Sequence, residues 1–123
     1  MKYLKVADKV FEENFVNYAC NVAAIAVNKG RVIAQAGNSY VKTHPVQHHF
    51  AKRAGEDKKI YLHAEVAALI KSGPNIDELY IFKRNKNGVL IDSAPCPVCQ
   101  LAIKHSNVKK VFGVKLGKLT RLQ

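Results

Sequence analysis

Four residues in this chain have the types and spacing to do chemistry together: His63, Glu65, Cys96 and Cys99. Cys96 and Cys99 form a Cys-Pro-Val-Cys step, and a spacing of three puts two side chains on one face of a helix. Pro97 suits the first turn of that helix, where its missing N–H is not needed. The positive end of the helix favours thiolate over thiol, and thiolate is the form that binds a metal. His63 adds an imidazole at the head of a second helical run. Two sulfurs and one nitrogen suit a tetrahedral Zn2+ site whose fourth position is open to water, and zinc brings the pKa of such a water to about 7. Glu65 is two residues from His63 and does not share its helical face. It can still approach that water without being a ligand, which is the place for a carboxylate that moves protons.

The same residues admit other readings. A structural zinc site needs a fourth protein ligand, for which Cys20, His44, His48, His49 and His105 are the candidates. That reading leaves Glu65 without a task. A thioredoxin-like redox pair at Cys96 and Cys99 makes His63 and Glu65 coincidental. A non-catalytic zinc module that binds nucleic acid has no use for a proton-moving carboxylate.

The elements that must position these residues follow from periodicity. Leu4, Val10, Phe11, Phe15 and Tyr18 predict an amphipathic helix over residues 3–18. Residues 20–27 and 31–36 predict two strands joined at Asn28-Lys29-Gly30. Residues 37–61 have no clean period and read as a long loop with at most one helical turn, and loops of that length in a compact domain tend to carry function. Its His44, His48 and His49 are candidates to contact a phosphate or a base. A helix follows over 62–70, stopped by Ser72-Gly73-Pro74, then a strand over 78–83 and a short extended run over 89–91. A helix over 97–105 and a strand over 108–114 complete the pattern, and residues 116–123 form either a fifth strand or a basic tail. Helices alternating with strands predict an α/β domain occupying residues 1–123.

Net charge is +11, which points to a polyanionic or phosphorylated partner. No acidic residue follows Asp92, whereas Lys104, Lys109, Lys110, Lys115, Lys118 and Arg121 do, so one end of the chain presents a basic surface. No apolar stretch approaches the roughly 20 residues of a membrane span, so no membrane partner is expected. Residues 1–11 lack the apolar block of a secretory signal, and a cytoplasmic, reducing compartment is expected. In that setting Cys20, alone in an apolar run, is read as a small buried hydrophobe.

His63-Ala64-Glu65 and Pro95-Cys96-Pro97-Val98-Cys99, each at the head of a helix in an α/β chain, resemble the cytidine/deoxycytidylate deaminase superfamily. H-x-E and P-C-x-x-C together are the signature of zinc-dependent nucleobase deaminases. The resemblance runs from about Cys20 to Val114. It implies a three-layer α/β/α fold around a mixed sheet of four to five strands and one Zn2+ per chain. It also implies that Asn38 contacts the substrate's sugar, that the Ala64 backbone faces the base, and that Ala94 lies beside the departing amine. The expected substrate is a phosphorylated cytosine-containing small molecule, a free nucleotide such as dCMP. The alternative is a single-stranded DNA or RNA, which would need a basic groove and aromatic stacking faces; Tyr40, Phe50, Tyr61 and Phe82 are the candidates. Family members usually assemble, so a homo-oligomer is expected. The chain has Asp92-Ser93-Ala94 where many nucleotide-level members have a threonine or an aromatic residue, and three cysteines are too few for a second zinc.

Overall fold

The run Asn21–Asn28 is apolar at every position between its two asparagines, the pattern of a strand covered on both faces. The computed structural model, which describes residues 1–123, places it as β1 inside one mixed six-stranded sheet. The other strands are β2 (Arg31–Gly37), β3 (Glu78–Arg84), β4 (Leu90–Ile91), β5 (Lys110–Lys115) and β6 (Lys118–Arg121), in the spatial order β2-β1-β3-β5-β6. All neighbours are antiparallel except β3 and β5, which run parallel in the register Glu78–Lys110 to Ile81–Gly113. β1 accompanies β3 along its whole length, so the two residues of β4 pair with Lys83 and Arg84 on the side that β5 has left.

Alternation along β1 sorts the core into two faces. Ala23, Ile25 and Val27 pack with Tyr80, Phe82 and Val114 against Ala7, Val10 and Phe11 of helix α1 (Leu4–Asn14). Ala24 and Ala26 face the other way. They pack with Ala36, Leu79 and Ile81 against Ala64, Ala67 and Ala68 of helix α3 (Ala64–Ser72) and Ile103 of helix α4 (Pro97–Lys104). The result is three layers, helix–sheet–helix. Alanine on both sides of the α3 contact removes the side-chain bulk that would hold the helix off the sheet, so its N-terminus sits close to the strands.

Three expectations change. The segment read as a long loop contains the nine-residue helix α2 (Pro45–Arg53). Its buried residues are Gln47 and Ala51, one helical turn apart, and a glutamine in the inward position hides the apolar period. The sheet has six strands in place of four to five, because the short run pairs as β4 and the basic end pairs as β6. The first helix stops at Asn14 instead of reaching Tyr18, since Phe15 is already extended. Two-residue turns with positive φ at Lys29-Gly30 and Leu116-Gly117 close the β1–β2 and β5–β6 hairpins. No helix is long and apolar enough to cross a membrane.

Candidate metal centre and active site

Helices α3 and α4 begin at the same place. His63 is the N-cap of α3, with extended backbone (φ −78°, ψ 152°), and Cys96 is the N-cap of α4 (φ −69°, ψ 170°). His63 Nδ1 lies 3.3 Å from Cys99 Sγ and 3.4 Å from Cys96 Sγ, and the three ligand atoms all fall within 4.8 Å of one another. A tetrahedral zinc with ordinary bond lengths separates its nitrogen and sulfur ligands by roughly 3.5 Å. Donor set and spacing therefore fit zinc. The group contains these three residues alone. None of the fourth-ligand candidates joins it: Cys20 lines the cavity beside the group without belonging to it, His105 stacks on Phe50 with ring centroids 5.7 Å apart, and His48 and His49 are exposed on α2.

The electrostatics prepare the ligands unequally. Hydrogen bonding from the Cys99 thiol, helped by His63, lowers the Cys96 pKa to about 3. Cys99 goes the other way, held up by that same hydrogen bond and by burial. The hydrogen bond to Cys96 raises His63. His63 and Cys99 are both shifted toward keeping their protons, so a metal competes with protons for these ligands.

Glu65 is 5% exposed in the first turn of α3, and burial pushes its carboxyl above the usual range. Helical geometry alone sends residues two apart in different directions. Here His63 precedes the helix in extended conformation, so both side chains reach one cavity.

That cavity has a volume of about 340 Å³, within the usual range for a small-molecule site. Asn38, His63, Glu65, Ala94 and Cys96 line it together. Asn38 also pins the wall: its Oδ1 accepts from the Val22 N–H at 2.9 Å and its Nδ2 donates to the Cys20 carbonyl at 3.4 Å. Tyr40 Oη donates to that carbonyl at 2.6 Å. Ala64 is the buried first residue of α3, its side chain in the core. His44 does not line the cavity; it caps α2, its Nδ1 accepting from the Val46 N–H at 3.1 Å. None of the six basic residues after Asp92 lines the cavity either. The lysines that do are Lys58, Lys59 and Lys83.

Two positioning residues have no signature in the sequence. Ser93 is buried, its Oγ donating to the Ile81 carbonyl at 2.7 Å and accepting from the Val114 N–H at 2.8 Å. Its own N–H donates to the Val114 carbonyl at 2.9 Å. These bonds strap Ala94, Pro95 and Cys96 across β3 and β5. Gly113 permits the close approach, since a Cβ there would run into the Ser93 carbonyl. Gln47 is the second: its Oε1 accepts from the His63 N–H at 3.1 Å.

Residues 1–115 match the family described as cytidine and deoxycytidylate deaminase zinc-binding region. No curated protein matches the chain.

Proposed function

The chain belongs to the cytidine and deoxycytidylate deaminase family, and on that premise we propose that it removes the exocyclic amine of a cytosine ring in a free nucleotide such as dCMP. Water is consumed, and uracil nucleotide and ammonia are released. The coarser statement, a zinc-dependent deaminase-like enzyme, follows from the family and the Cys2His cluster. The finer one rests on a single observation: the cavity that holds Glu65, His63 and Cys96 also carries Lys58, Lys59 and Lys83. Three cations lining one cavity suit a phosphate.

His63, Cys96 and Cys99 would hold the zinc, one per chain. Zinc, when bound, supplies Lewis acidity that makes a water nucleophilic at neutral pH. Glu65 handles the protons: its carboxylate takes one from the attacking water, delivers it to ring N3 and passes the second to the leaving amine. Asn38 faces the sugar, the α3 N-terminus at Ala64 faces the base, and Ala94 leaves room beside the amine. Tyr61, 46% exposed on the cavity wall, also offers a stacking face, the one observation that favours a single-stranded polynucleotide.

The test is turnover of cytidine, dCMP, CMP, a cytosine-containing single strand and guanine by the zinc-loaded protein. We expect kcat/KM for dCMP or CMP at least tenfold above that for cytidine and for the strand. Equal turnover of cytidine and dCMP would remove the phosphate from the reading. Preferred turnover of the strand, with a binding slope near −0.7 per phosphate on a log–log salt plot, would replace the free nucleotide by a polynucleotide.

A further inference from the structure

We infer that Gln47 is a positioning residue which ties the lysine-bearing segment at the cavity to the metal ligand His63, so that one buried side chain sets both the phosphate-binding and the metal-binding end of the site. Gln47 is 0% exposed. A buried amide is costly unless both its ends are hydrogen-bonded. Its Nε2 donates to the Lys59 carbonyl at 3.0 Å, and its Oε1 accepts from the His63 N–H at 3.1 Å. One planar group therefore fixes residues 59 and 63 relative to each other. The residues between are held as well: Leu62 N–H donates to the Lys42 carbonyl and Ser39 N–H to the Leu62 carbonyl, both at 2.9 Å.

The strut has a firm footing. Ala51 buries the next turn of α2, and Phe50 stacks on His105 at the end of α4, the helix that begins at Cys96. Gln47 thus references His63 to the same body that carries the two cysteines. Its other end holds the Lys59 carbonyl. Lys59 is paired only with Glu56, at 3.7 Å and with both side chains more than a third exposed, so that pair yields easily to a phosphate. A shift of the Lys59 backbone travels through the amide to His63. Only a side chain with a donor and an acceptor at this reach can hold both ends, and glutamine is that side chain.

The phosphate half of this inference rests on the nucleotide reading above; the metal half does not. The experiment compares Gln47→Met, similar in volume and lacking both hydrogen bonds, with Gln47→Glu, whose carboxylate when ionised keeps the acceptor toward His63 and lacks the donor toward Lys59, and it follows both variants across a pH series so that the ionised form is sampled. Zinc affinity is measured by chelator competition, ligand geometry by the visible spectrum of the Co2+-substituted protein, and kcat and KM with dCMP and cytidine. For Gln47→Met we expect a loss of metal affinity of about tenfold, the low end of the range for outer-shell partners because the bond is to the His63 backbone and not its ring, and an altered Co2+ spectrum. For Gln47→Glu we expect a near-native Co2+ spectrum and a KM raised severalfold for dCMP but not for cytidine. A Gln47→Met protein that only melts earlier, with native zinc affinity and Co2+ spectrum, would reduce Gln47 to a packing residue. Equal KM changes for dCMP and cytidine in Gln47→Glu would break the coupling. If Gln47→Met does not fold, a Co2+ spectrum of Gln47→Glu altered as strongly as that of a ligand variant overturns the division of labour. If the native enzyme turns over neither compound, the nucleotide reading fails while the Co2+ and zinc measurements still decide the hold on His63.

Discussion

Replacing Ser93 by alanine deletes one oxygen and leaves the space around it unchanged. That oxygen is the partner of the buried Val114 N–H at 2.8 Å and the donor to the Ile81 carbonyl at 2.7 Å. Val114 lies opposite Leu119 in the β5–β6 pair, and its N–H is turned toward Ser93. Leaving that donor unpaired costs about 1–3 kcal/mol, and losing the second bond adds about 0.5–1.5 kcal/mol, so about 2–4 kcal/mol in sum is a fair central range. At about 2.1 cal/mol/K per residue, a chain of 123 residues has an unfolding entropy near 0.26 kcal/mol/K, so each kcal/mol moves Tm by about 4 °C. The expected fall is therefore about 8–15 °C for the zinc-free protein. The strap also holds Ala94, Pro95 and Cys96, so zinc affinity should fall with it, since a ligand site tolerates displacements of only about 0.2 Å. Differential scanning calorimetry and chelator competition read the two effects. Gly113→Ala, whose Cβ would strike the Ser93 carbonyl, should lower both quantities by a steric route. A Ser93→Ala protein with Tm within about 2 °C of native and unchanged zinc affinity would refute the reasoning about the unpaired Val114 N–H.

Glu65→Gln should bind zinc and fold as the native chain does while kcat falls by about two to four orders of magnitude; steady-state kinetics on metal-analysed protein checks this. Cys96→Ala should take zinc content after dialysis from about one per chain to near zero, because two donors are too few for a stable tetrahedral site. Burial, with the hydrogen bond from Tyr80 Oη to Glu78 Oε1 at 3.0 Å, raises the Tyr80 pKa above its ordinary 10.0. A raised folded-state pKa means that the unfolded chain releases the proton first, so this stabilisation is complete below about pH 10 and is lost as pH rises further. Denaturant midpoints followed from pH 9 to 11.5 should accordingly fall less steeply in Tyr80→Phe than in the native protein, and parallel curves would show that Tyr80 does not contribute.

Amino-acid order alone determined the chemistry-bearing set. His63, Glu65, Cys96 and Cys99 are recognisable because a thiolate–imidazole metal site demands particular residue types at particular local spacings, and helix N-termini advertise themselves through Pro97 and the apolar run behind His63. The α/β order was legible for the same reason: strands and helices impose periods that survive in one dimension. Tertiary structure decided the rest, through contacts between residues far apart in the chain. Gln47 reaches His63 across 16 positions and Ser93 reaches Val114 across 21, and neither leaves a local pattern. How Glu65 and His63 come to reach one cavity was also decided by the backbone, because His63 is a cap with extended conformation, outside the helix. Charge shows the same division. The excess of lysine and arginine is a property of composition, but the fold selects Lys58 and Lys59, in the segment after α2, and Lys83, on β3, as the cations that line the cavity, and keeps the six basic residues after Asp92 out of it.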